Sequence, residues 1–173
     1  MNERIPILYD MTLRPEWIDF ALEQYLTCPD EATHRRVLRE YLFAQLAGKE
    51  AAIKTATQLQ RNVGYRSPIS KERLKDLYKQ MSMLASEERT AIRLQILEES
   101  SPFFADCISA LRKLKLLGMN GVNLREMEER LSAKYGERET VQRRIQYVFR
   151  TLALLGVIEY RNRRWLLHNL SPT

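Results

Sequence analysis

The chain has 173 residues, 45% hydrophobic and 29% charged, with only six Gly and six Pro, which excludes a largely disordered or fibrous chain and fits one or two globular domains. Its net charge of +6 is one-sided. Residues 109–173 hold thirteen Lys/Arg against six Glu, a net +7, while residues 1–108 hold fifteen against sixteen, a net −1. A basic C-terminal third points to a polyanionic partner, against the plainer reading of a solvated surface.

The first dozen residues read as a short arm. Pro15 then opens a helix whose apolar stripe is Trp17, Phe20, Ala21 and Tyr25, ending near Thr27. A second helix is expected from Pro29, with Asp30 and Glu31 in its first turn, Leu38 and Leu42 inward, and Gly48 as its stop. A third runs from about Glu50 to Asn62. After the loop Gly64–Pro68, Ser70 is placed to cap a helix carrying Leu74, Leu77 and Met81, and Ser86 starts another with Ile92, Ile96 and Leu97 inside. Residues 1–100 therefore read as an all-α bundle of about five helices.

From Pro102 the pattern changes. A helix extends to about Leu117 and stops at Gly118; Asn120-Gly121 signals a turn; Asn123 caps a helix with Glu126 three residues on, the spacing of a capping box. That helix ends at Tyr135-Gly136. The next spans about Thr140 to Leu155 and is stopped by Gly156. Two strands, Val157–Arg161 and Arg164–His168, follow around the tight pair Asn162-Arg163. The predicted fold is mainly α: a helical bundle over 1–100, then a unit over 101–173 with one β-hairpin.

The order helix, helix, short turn, helix, hairpin over Pro102–Asn169 resembles the winged-helix DNA-binding superfamily. The stretch Val148–Glu159 (VFRTLALLGVIE) resembles a recognition helix running into a wing. A weaker likeness, prompted by the stretch from Ser101-Pro102-Phe103-Phe104 through Tyr135–Thr140, is to small helical proteins of bacterial phage-defence islands. The resemblance implies a helix-turn-helix whose last helix enters the major groove.

Projected at 100° per residue, Val141, Ile145, Val148, Phe149, Leu152 and Leu155 of the long helix share one side, with Arg143, Gln146, Tyr147 and Arg150 opposite. Arg can fork onto guanine and Gln onto adenine, so this outward face suits base edges. Arg161, Asn162, Arg163 and Arg164 surround the hairpin tip, suited to phosphates or the minor groove, or to blunting an exposed edge. With Arg138, Thr140 and Arg144 around the helix start, these are the candidate DNA contacts.

Cys28 and Cys107 form no CxxC pair, and His34 and His168 lie far from both, so no metal site is expected. The start Met-Asn-Glu-Arg-Ile-Pro is not a signal peptide, the longest apolar run is too short for a membrane span, and two lone thiols fit a cytoplasmic protein. No phosphate loop, GxSxG or HExxH is present, so no enzyme and no cofactor are expected. The expected function is double-stranded DNA binding, regulatory or accessory to a bacterial or phage DNA-processing or defence system. The rival is a winged-helix adaptor without direct DNA contact, with a protein partner docking on the N-terminal bundle.

Overall fold

The computed structural model describes residues 5–171. The first four residues of the expected arm, and the last two of the chain, lie outside the described residues. Two compact units are present: residues 13–101, and residues 102–171 together with 5–12. The fold is mainly α with one small antiparallel sheet, as the sequence predicts.

The first unit contains α1 (Pro15–Thr27), α2 (Glu31–Phe43), α3 (Lys49–Val63), α4 (Lys71–Ser82), a 3-10 turn (Ser86–Arg89) and α5 (Thr90–Ser100). Asp30 caps α2 from outside its first turn: its carboxylate accepts the Thr33 N–H at 2.7 Å, which holds the Asp30 carboxyl below its usual range. Ser70 caps α4 by accepting from Arg73 N at 3.1 Å, as expected. Gly48 does not stop α2, which ends five residues earlier; its φ of 123° instead lets the chain reverse into α3. The core is built on Trp17, Ile18, Leu22, Leu38, Leu59 and Leu77.

Two polar features inside this core were not legible as sequence patterns. Arg93, only 3% exposed, donates two hydrogen bonds to Asp19, at 2.8 and 2.7 Å, and a third to the Ser86 carbonyl. Arg89 adds a 3.1 Å bond to the same carboxylate. His34 is fully buried, with Nε2 donating to the Ala21 carbonyl at 2.9 Å and Nδ1 without a partner among the described residues. Burial depresses its pKa, so at neutral pH the ring is neutral in the folded chain.

The second unit contains α6 (Pro102–Leu116), β1 (Gly121–Val122), α7 (Leu124–Tyr135), α8 (Glu139–Leu154), β2 (Glu159–Arg161) and β3 (Arg164–Leu166). The sheet order is β1-β3-β2, all antiparallel. The predicted turn at Asn120-Gly121 is thus partly a strand. Two residues are too few to show period-2 patterning, and the pairing depends on β3 more than forty residues away. Gly121 suits this position because a Cβ there would sit 3.1 Å from the Trp165 carbonyl oxygen.

The arm belongs to this unit and not to the helical one. Tyr9 is fully buried, its ring 5.5 Å from Phe104 and its hydroxyl bonded to Thr151 Oγ1 at 2.7 Å. Asp10 pairs with Arg144 at 3.2 Å. A lone aromatic in a non-periodic segment carries no local signal for such docking. No helix among the described residues is long and apolar enough to cross a membrane.

Asp19→Ala leaves the Arg93 guanidinium buried and unpaired, and is expected to cost about 3–5 kcal/mol of unfolding free energy in denaturant melts. The His34 ring, neutral when folded, takes up a proton on unfolding below its ordinary pKa of about 6.5. Unfolding is therefore favoured as pH falls through about 6, and stability rises again toward neutral pH. Comparing unfolding midpoints at pH 7.5 and 5.5 with those of His34→Gln should show a smaller acid loss in the variant.

Candidate nucleic-acid interface

The candidate interface is built by three elements whose positions are fixed locally. α7 begins with a complete capping box: Asn123 Oδ1 accepts from Glu126 N, and Glu126 Oε2 accepts from Asn123 N, both at 2.9 Å. At its other end Tyr135 donates to Asp106 at 2.5 Å and sets its ring edge-on to Phe103 at 5.0 Å, tying α7 to α6. Burial and the Asp106 charge together push the Tyr135 hydroxyl far above its usual range, so it stays a donor. Gly136, with φ 76°, ends α7, and after Glu137 and Arg138 α8 begins at Glu139.

α8 buries the stripe its sequence projects: Val141, Ile145, Val148, Phe149 and Leu152 are inaccessible to solvent. The hairpin closes through Asn162 (φ 54°) and Arg163 (φ 61°), both left-handed, as a two-residue type I′ turn requires. Asn tolerates this conformation; Arg does so at a cost of about 1–2 kcal/mol. Trp165 is buried on β3, edge-on to Phe149 at 5.4 Å. Tyr160 lies across from it on β2, at 4.8 Å and 58% exposed.

Between these elements lies a cleft of about 450 Å³. α7 lines it with Leu124 and Arg125, beside the capping Asn123; α8 with Gln142, Gln146 and Arg150; the hairpin with Tyr160, Arg163 and Trp165. Three guanidiniums and three side-chain amides thus meet two aromatic rings, and no carboxylate is among the lining residues. Arg150 and Arg163 have no ion-pair partner among the described residues.

The sequence-derived candidates divide into three groups. Gln146, Arg150 and Arg163 come together in the cleft. Arg143 and Tyr147 occupy the neighbouring stripe of α8, Thr140 is exposed at its start, and Arg161 and Asn162 are exposed at the hairpin tip. Arg143 reaches Glu139 only at 4.0 Å and Arg161 reaches Glu159 only at 3.9 Å. The third group is engaged inside the unit. Arg138 donates to the Tyr135 and Ile5 carbonyls, at 3.0 and 3.2 Å. Arg144 pairs with Asp10 and is only 27% exposed. Arg164 donates to the Gly121 carbonyl at 2.7 Å and to Glu126 at 3.3 Å, clasping β3 to β1 and the α7 cap.

Sequence reasoning missed Asn123, Arg125, Gln142 and Tyr160. Gln142 was within reach: Gln142, Gln146 and Arg150 recur every four residues, one stripe of a helix. The others join the cleft only through tertiary pairing.

Arg163→Gly should raise the melting temperature by a few degrees, because glycine removes the left-handed penalty. Arg164→Ala should lower it, since the Gly121 carbonyl and Glu126 lose their donor. A drop with Arg163→Gly in thermal melts would contradict the strained-turn reading.

No protein-family model matches this chain, and no curated protein matches it.

Proposed function

We propose that residues 102–171, with the arm, form a winged helix that binds double-stranded DNA. The observation that carries this reading is the carboxylate-free cleft, where Arg150 and Arg163 face solvent unpaired beside the amide stripe of α8. Unpaired guanidiniums attract phosphates with little desolvation to overcome, and binding releases counterions. Arg143 supplies base-edge donors near the start of α8, outside the cleft, and the hairpin tip supplies phosphate contacts. The element order α6-β1-α7-α8-β2-β3 supports the winged-helix resemblance noted in the sequence.

The cleft holds no His, Cys, Asp or Glu to act as a base or nucleophile, which favours binding over catalysis. We read the chain as a cytoplasmic regulatory or accessory component of a bacterial or phage DNA-processing or defence system, with the helical unit as a second, separately cored part. One observation favours the adaptor alternative. Leu116 and Leu117, 68% and 73% exposed, stand beside Met119 at the end of α6, an apolar cluster of the kind that marks protein contacts.

Fluorescence anisotropy with a random 16-bp duplex across a salt series tests the reading. Arg150→Ala and Arg163→Ala should each reduce the log–log salt slope by about 0.9. Arg144→Ala, already neutralised by Asp10, should leave the slope nearly unchanged while lowering stability. Arg143→Ala should cost about 1–3 kcal/mol at a preferred site and less on random duplex. No salt-sensitive binding by the wild type would favour the adaptor.

A further inference from the structure

The cleft is shaped for more than a phosphate. Its volume of about 450 Å³ far exceeds one phosphate group and falls in the range of small-ligand sites. Its aromatic side is a continuous series, with Phe149 in the core, Trp165 at 5.4 Å from it, and Tyr160 at 4.8 Å beyond. Tyr160 ends this series 58% exposed, an aromatic face on the rim of a basic cleft. The same cleft is lined by the Gln142 and Gln146 amides, which can both donate and accept, and by Arg150 and Arg163.

A base inside an intact duplex cannot use such a site. Both of its faces are stacked and its pairing edge is occupied. An unpaired base offers a free face to an aromatic ring, a free edge to amides, and a flanking phosphate to a guanidinium.

We propose that the cleft takes a single unpaired nucleotide of DNA, next to the duplex that α8 contacts. The base stacks on Tyr160, with Trp165 behind it. Gln142 and Gln146 bond its edge, and Arg150 and Arg163 hold the adjoining phosphates. The preferred ligand is then a duplex with a single-stranded tail or gap, and uniform duplex is the weaker one. The inference rests on the duplex-binding reading and deepens it.

The test compares three labelled DNAs by anisotropy: a blunt 16-bp duplex clamped by G·C pairs at both ends, and the same duplex with a four-nucleotide 3′ or 5′ tail. The first unpaired base of each tail is 2-aminopurine, whose emission falls when it stacks. Wild type should bind one tailed duplex about 10-fold tighter than the blunt one, with quenching of the 2-aminopurine. Tyr160→Phe should keep this preference, and Tyr160→Leu should bring it close to 1. Equal affinity for blunt and tailed DNA without quenching overturns the nucleotide site and leaves duplex binding standing. Binding of none of the three overturns both. A preference that survives in folded Tyr160→Leu also overturns the proposal; if that variant does not fold, the wild-type affinities and quenching decide alone.

Discussion

Burial of α8 along Val141, Ile145, Val148, Phe149 and Leu152 sets the direction of every other side chain on that helix. Once those five are inside, the 100° step leaves Gln142, Gln146 and Arg150 on one outward stripe, and Arg143 and Tyr147 on the next. The same burial anchors the hairpin, because Phe149 is the ring on which Trp165 packs. The cleft therefore follows from the core. Its walls are surface residues, but the angle between them is fixed by a helix and a strand that share one aromatic contact.

Electrostatics then decides which positive charges remain available. Arg138, Arg144 and Arg164 are drawn into the unit by backbone carbonyls, Asp10 and Glu126. Each holds an otherwise weak feature: the α7–α8 turn, the arm, and a two-residue strand. Arg150 and Arg163 are left without partners among the described residues, and Arg163 is kept in a conformation that glycine would occupy more easily. Under the proposed reading, the strained backbone at Arg163 gives up some stability to present a charge at the cleft rim.

The architecture was largely legible from the sequence, for physical reasons. Long amphipathic helices with glycine or capping stops declare themselves locally, as in Asn123 with Glu126 and in the buried stripe of α8. The hairpin turn was legible because Asn accepts a left-handed φ. Other features depend on partners distant in sequence. β1 is defined only by its pairing with β3, the arm only by Thr151 and Phe104, and the division among the arginines only by Asp10 and Glu126. Charge counting treats thirteen cations as equal, and only tertiary contacts show which are already satisfied. Tyr160 is illegible for the same reason: an aromatic alternating along a strand looks like core, and only the cleft beside it sets it apart.

The most direct measurement is amide chemical-shift mapping of the labelled chain on titration with a 16-bp duplex at low salt. The account predicts shifts concentrated in residues 123–125, 140–150 and 160–163, with α1 to α5 unaffected, and loss of those shifts at high salt. Shifts confined to residues 116–119, or none on α8 and the hairpin, would contradict it.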